Sequence, residues 1–112
     1  MAAILVFVKD AALPIEKELL AEKAAALGRA GESLTVALAA LRQAEAALTG
    51  AAPDQLPALR VRRRELREVA AERLWYVLVQ REAVGIFQHE GLLREQQVPP
   101  EVRLLAGPRR RR

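Results

Sequence analysis

The chain contains no cysteine and no asparagine, and it has a single histidine, His89. Without cysteine there is no disulfide and no thiolate chemistry, which suits a cytoplasmic protein. One histidine and no cysteine leave too few ligands for a zinc site, which needs three or four. The only serine, Ser33, has no histidine close to it in the sequence to act as a base. We therefore expect no catalytic activity, no metal and no cofactor.

Long hydrophobic runs are scarce near the N-terminus. The segment Ile4–Val8 is strongly apolar but far too short for a membrane span, and no basic residues precede it as in a signal peptide. We expect no membrane association. The segment favours a strand locally, yet no second strand is evident to pair with it. We expect residues 1–13 to form an arm packed on helices, with a short strand across a dimer as the alternative.

Charge of one sign is in excess only at the C-terminus. The net charge of +4 equals the four arginines Arg109, Arg110, Arg111 and Arg112, so the chain before them is neutral. We expect residues 109–112 to be a disordered basic tail that can contact phosphates without sequence preference. A second basic cluster, Arg60–Arg67, is diluted by Glu65 and Glu68. Binding to nucleic acid is therefore expected to be weak at most.

The residues that are abundant, alanine, leucine, glutamate and arginine, are good helix formers. Pro14 is suited to a helix start and Gly50 to a helix end, which predicts a first helix over residues 14–49. Along this helix, leucines recur every seven residues, and the position three residues after each leucine is mostly alanine. Together these positions form an apolar seam on one face of the helix. The leucines are Leu20, Leu27, Leu34, Leu41 and Leu48. This seam suits a parallel zipper or an antiparallel hairpin, and a second long helix in the chain favours the hairpin.

Gly28 and Gly31 interrupt the first helix, and each costs about 1 kcal/mol relative to alanine. Either the helix kinks at Gly31, or the glycines admit a neighbour closely. We expect a continuous helix with a close crossing.

A second helix is predicted over residues 54–85, after a turn at Pro53–Asp54 in which Asp54 caps the helix. Its apolar stripe holds Leu59, Leu66, Val69, Ala70, Val77 and Val84. From Leu74 to Phe87 the opposite face is apolar as well, with Trp75, Val79 and Ile86. One partner helix cannot cover both faces, which predicts a homodimer.

Short helices are predicted within residues 88–106, separated by the break at Pro99 and Pro100. The expected architecture is a single all-α domain over residues 1–108. It consists of a long antiparallel helical hairpin with short C-terminal helices, which dimerises into a helical bundle.

Four charged residues fall on or beside the predicted apolar stripes: Glu22, Lys23, Arg81 and Glu82. Since unpaired buried charges are costly, we expect them to meet across the hairpin or the dimer. They would either line a ligand pocket or form a structural ion-pair network, and we expect the network.

Two parts of the chain carry a family pattern. "ELLAEKAAALGRAGESLTVALAAL" (Glu18 to Leu41), then "VQREAVG" and "VPPEVRLLAG", resemble a family of small uncharacterised bacterial helical proteins, a domain of unknown function. The sequence differs from that pattern after Gly85, where Phe87-Gln88 replaces Arg-Asp, and at its N-terminus. The resemblance implies a helical fold and no particular activity.

We interpret the chain as a helical interaction or scaffold module, a homodimer with a possible further protein partner. The alternative is a nucleic-acid-associated protein that contacts phosphates through Arg60–Arg67 and the C-terminal arginines.

Deleting Arg109–Arg112 is predicted to abolish most binding to DNA at low salt, because the remaining chain is neutral. Mobility shifts of the full and shortened chains on one duplex measure this. Equal binding by both chains would assign the contact to Arg60–Arg67 instead.

Overall fold

The computed structural model describes residues 14–107, which form four helices and no strand. Helix α1 spans Pro14–Leu48, α2 spans Leu56–Ala83, α3 spans Glu90–Glu95 and α4 spans Pro100–Leu105. The all-α prediction is confirmed. The expected arm at residues 1–13 and the basic tail at residues 109–112 lie outside the described residues.

The two long helices pack against each other as a hairpin, and α4 packs on α2. The side chains at the centre of the core are at most 2% exposed: Leu34, Leu38 and Leu41 of α1, Leu74 and Val77 of α2, and Val102 of α4. Burying each leucine contributes about 1.5–3 kcal/mol. The heptad leucines therefore serve the hairpin, although Leu20, Leu27 and Leu48 at the ends of the seam are only half-buried.

Helix α1 runs without interruption through Gly28 and Gly31, as expected, but the predicted close crossing at these glycines was wrong. A Cβ atom built on either glycine would meet nothing within 4 Å among the atoms outside its own helix backbone. Gly28 is exposed and Gly31 half-buried. The neighbouring helix meets α1 instead through Ala30, Leu34 and Ala37, which are buried on its inner face.

The start of α2 also differs from its prediction. Gln55, not Asp54, is the N-cap residue, and its side chain makes no cap hydrogen bond. The Gln55 side-chain oxygen accepts from the Ala52 backbone N–H at 3.3 Å, which holds the turn before the helix. Pro57 lies in the first turn, where its missing N–H removes one of the donors that a cap would have to satisfy.

The C-terminal helices are attached to α1 by polar contacts around the end of α3. Arg42 donates from Nη2 to the Gln96 carbonyl at 2.9 Å and lies 3.4 Å from that of Gln97. A cation suits these carbonyls because they are the negative end of the helix dipole. The Thr35 hydroxyl and the Gln96 side-chain amide are also hydrogen-bonded, with the Gln96 N–H donating at 2.9 Å.

The chain leaves α3 through a residue in the left-handed conformation, Gln97, with φ of 53°. Its N–H donates to the Arg94 carbonyl at 3.1 Å, and the Val98 N–H donates to that of Leu93 at 3.0 Å. This is a Schellman motif, which usually places glycine at the left-handed position. The turn directs Val98 into the core, where it is buried.

Replacing Gln97 by valine is predicted to destabilise the protein by about 1–2 kcal/mol, because a β-branched side chain is strained in the left-handed region. Gln97→Gly is the matched control and should leave stability unchanged or slightly higher. Urea denaturation followed by circular dichroism measures both. Equal midpoints for the valine and glycine variants would contradict this account of the turn.

Candidate functional site

The polar site centres on the C-terminal end of α2, where the chain reverses direction. Gly85 is in the left-handed region, with φ of 90°. Its N–H donates to the Glu82 carbonyl, and the Ile86 N–H donates to the Arg81 carbonyl at 2.9 Å. These two bonds form a second Schellman motif. The reversal brings His89 back beside the last turn of α2.

His89 bridges two consecutive charged residues. Arg81 Nε donates to His89 Nδ1 at 3.0 Å, and His89 Nε2 lies 3.1 Å from Glu82 Oε2. Arg81 Nη2 also donates to the Gln88 carbonyl at 2.9 Å. Because the guanidinium only donates, Nδ1 must accept, so the ring proton lies on Nε2 and is donated to the carboxylate.

Within one chain, the structure does not join Glu22 or Lys23 to Arg81 or Glu82, so the predicted pairing across the hairpin is not seen and the alternative, pairing across a dimer, stays a prediction. No hydrogen bond or salt bridge of the described residues joins the two sets. Glu22 is exposed and Lys23 only half-buried, so solvent screens their charges. The loop after Gly85 supplies the partners of Arg81 and Glu82, which removes the need for a contact across the hairpin.

Within a single chain the four charged side chains are exposed or half-buried. Among the described residues no charged side chain is fully buried. The His89 side chain is 16% exposed and that of Glu82 is 50% exposed. Both nitrogens of the imidazole are occupied by neighbours that hold the loop. In this arrangement the cluster fastens the loop to α2 and leaves no ring nitrogen free to act as a base.

The predicted dimer face is exposed in its helical part. Trp75 is 37% exposed and Val79 is 41% exposed, while Leu74 and Val77 on the opposite side of α2 are buried. Ile86 departs from the prediction because α2 ends at Ala83, so it follows the cap and is half-buried. Phe87, the next residue, is 69% exposed.

The basic cluster lies in the first half of α2. Arg60, Arg62 and Arg64 are exposed, and Arg62 lies 3.9 Å from Glu65, at the limit of an ion pair. Arg63 and Arg67 are half-buried, and the Nε atom of each is shielded from solvent without a hydrogen-bond partner. The four C-terminal arginines, Arg109 to Arg112, lie outside the described residues.

Residues 14–107 contain no group of three or more side chains suited to hold a metal ion. By length and composition alone, α1 could cross a membrane, with a mean hydropathy of 1.2 over the best 18-residue window. The core helix of a hairpin has the same composition, and α1 buries Leu34, Leu38 and Leu41 against its neighbours. Length and composition alone are therefore weak evidence that α1 spans a membrane.

The fold and the cluster at the end of α2 define a small all-α hairpin protein with short C-terminal helices. The chain belongs to DUF6665, a family of unknown function, which matches residues 4–109. The match includes most of the N-terminal segment and the residues after Gly85, the two places where the sequence differs from the quoted motifs. Comparisons with curated proteins and with solved structures found no match.

Sequence reasoning missed His89 as the partner of Arg81, and it missed the contacts of Thr35 and Arg42. The sequence does contain a signal for the contact between Arg81 and His89. A glycine that ends a helix in the left-handed conformation turns the chain back, so a residue soon after Gly85 should face the last turn of α2. The contacts of Thr35 and Arg42 join residues 54 to 61 positions apart, and no local pattern marks them.

Arg81→Ala is predicted to lower stability by about 1–3 kcal/mol, because the loop loses charge-assisted hydrogen bonds to Gln88 and His89. Glu82→Ala should cost less, at most about 1 kcal/mol, since its carboxylate is half-exposed. Thermal melts measure both, with Arg60→Ala as the control. If both variants melt at or above the wild-type temperature, the cluster does not fasten the loop, and it becomes the first place to look for a ligand.

Proposed function

We propose that this protein is a non-catalytic interaction module that forms a homodimer through the second half of α2. The observation that supports this most is the exposed apolar surface of Trp75, Val79 and Phe87. Aromatic side chains are enriched at the centres of protein interfaces, where they bury a large area with little conformational entropy to lose. We define Trp75, Val79 and Phe87 as the α2 patch.

A second copy of the chain fits the α2 patch for two reasons. An apolar patch is self-complementary, so two copies related by a two-fold axis can bury it against itself. A stable interface buries about 800 Å² on each partner. That is about a tenth of the 7946 Å² that the chain exposes.

The proposal includes no enzyme activity and a cytoplasmic location. The argument against catalysis is that Arg81, Glu82 and His89 are engaged with one another and with the Gln88 carbonyl. The argument for the location is the absence of cysteine. Further protein partners would bind surfaces that the dimer leaves open.

A second candidate function is association with nucleic acid through Arg60–Arg67. The observation that favours it is the exposure of Arg60, Arg62 and Arg64 along the first half of α2. Phosphate oxygens are suitable acceptors for a guanidinium. Against it, Glu65 and Glu68 lie on the same stretch of helix and reduce the local positive charge.

Replacing both Trp75 and Val79 by glutamate is predicted to halve the mass of the particle in solution, because the dimer would have to bury unpaired charges. Size-exclusion chromatography with light scattering at about micromolar concentration measures the mass, within the ordinary affinity range of such interfaces. Val36→Glu is the matched control, since Val36 is also exposed but lies on α1.

The control variant should keep the wild-type mass. A wild-type monomer, or a double variant with unchanged mass, would contradict the dimer. If the wild-type chain is a monomer, the α2 patch would be available to bind a different protein.

A further inference from the structure

A crevice of about 190 Å³ lies between the two long helices. Its lining residues are Ala26, Arg29, Ala30, Ser33, Arg73 and Tyr76. Ser33 lines it, whereas Thr35, about 200° further round α1, bonds to Gln96. The crevice therefore lies on the side of the hairpin that the C-terminal helices do not cover.

The shape of the crevice follows from small side chains on α1. Ala26 and Ala30 are one turn apart and form its floor, and Ala30 is buried. No large side chain from α1 fills the space at this level, in contrast to Leu34 one turn further on, which is fully buried against α2. The Tyr76 ring on α2 provides a wall and is about half exposed.

Four polar side chains from both helices surround this floor. Arg29 and Ser33 are one turn apart on α1, and Arg73 and Tyr76 are three residues apart on α2. Within the described chain none of the four has a hydrogen bond or an ion pair to another residue. Arg42, on the opposite side of α1, behaves differently, since it bonds to carbonyl groups of the C-terminal segment.

Among residues 14–107, no carboxylate lines the crevice. Glu32 and Glu72 are adjacent in sequence to lining residues, but neighbouring positions on a helix point about 100° apart. Glu22 lies one turn before Ala26 and is exposed. Within the part of the chain that the structure describes, the two guanidinium groups thus face a space that no carboxylate lines. The first 108 residues of the chain are neutral in total.

We propose that this crevice binds a small phosphate monoester between Arg29 and Arg73. Each guanidinium presents parallel N–H donors that match two oxygens of a phosphate, and the Ser33 and Tyr76 hydroxyls add two further donors. A dianionic phosphate can satisfy both guanidinium groups, whereas a carboxylate has oxygens for one bidentate contact. The volume equals that of about six water molecules, so the phosphate and a short carbon body fill it.

The apolar floor gives the site a preference for a small ester over a polymer. Ala26 and Ala30 contact the carbon body, and the Tyr76 ring covers one side of it. A nucleic acid offers phosphate diesters with one charge each, and its chain would run along the surface without entering the crevice. The crevice and the α2 patch share no residue, so a monomeric wild-type chain would contradict the dimer without overturning this site.

The experiment is a titration of the ¹⁵N-labelled full chain with inorganic phosphate, followed by NMR at constant low ionic strength with sodium chloride as the reference. Saturable shifts are expected for the amides of Ala30, Ser33 and Tyr76 and for the Arg73 side chain. Arg73→Gln should weaken binding about tenfold or more, the effect of losing a hydrogen bond to a charged group. Arg29→Gln should act in the same direction.

Arg64→Gln is the control, because Arg64 is exposed on α2 and does not line the crevice. It removes the same charge and should leave the phosphate affinity unchanged. Thermal melts confirm that each variant is folded, and Ser33→Ala provides a milder second change in the site. A short single-stranded oligonucleotide in a parallel titration separates a monoester site from a phosphate-diester surface.

Three results would overturn the proposal. The first is a set of NMR shifts that do not saturate with phosphate, or that sodium chloride produces equally well. The second is an equal loss of affinity in Arg64→Gln and Arg73→Gln, which would indicate general attraction by charge. The third is tighter binding of the oligonucleotide. The amide resonances of the crevice residues would then shift at a lower concentration of oligonucleotide phosphate groups than of inorganic phosphate.

Discussion

The structure depends on the packing of α1 against α2 along one apolar seam. Leu34, Leu38 and Leu41 meet Leu74 and Val77 there, and all five are almost completely buried. A helix hairpin has no other large source of hydrophobic free energy, because each helix can bury only one side against its neighbour. Every other feature is arranged around this seam. The C-terminal segment extends it, and the functional candidates lie on the surfaces that it leaves exposed.

Polar contacts decide where the C-terminal segment lies on the seam. The hydrophobic contribution of Val98 and Val102 is not directional, so it does not by itself fix the path of a short chain segment. Two left-handed residues, Gly85 and Gln97, set the reversals of the chain. Arg81 then bonds to the Gln88 carbonyl beyond the first reversal, and Arg42 bonds to the Gln96 carbonyl at the second, which specifies the path. The charged residues are thus used at the ends of helices and not inside the core.

The hairpin leaves different chemistry on its two exposed sides. The α2 patch is apolar and aromatic, and it suits a flat contact with another protein surface. The crevice between Arg29 and Arg73 is concave and positive, and it suits a small anion. The two proposed surfaces use different residues of α2, because a helix of this length presents several faces to solvent.

Local sequence pattern determined the two long helices and most of their core. Pro14, the seven-residue leucine spacing and the Pro53–Asp54 turn predict where the helices lie, because helix propensity and periodicity act over a few residues. Apolar exposure of Trp75 and Val79 was predictable for the same reason. The pairing of Arg81 with His89, the contacts of Arg42 and Thr35, and the open space beside the glycines were decided by tertiary structure. Each depends on which distant residue the folded chain brings within about 3 Å, and side-chain spacing along one helix contains no information on that distance.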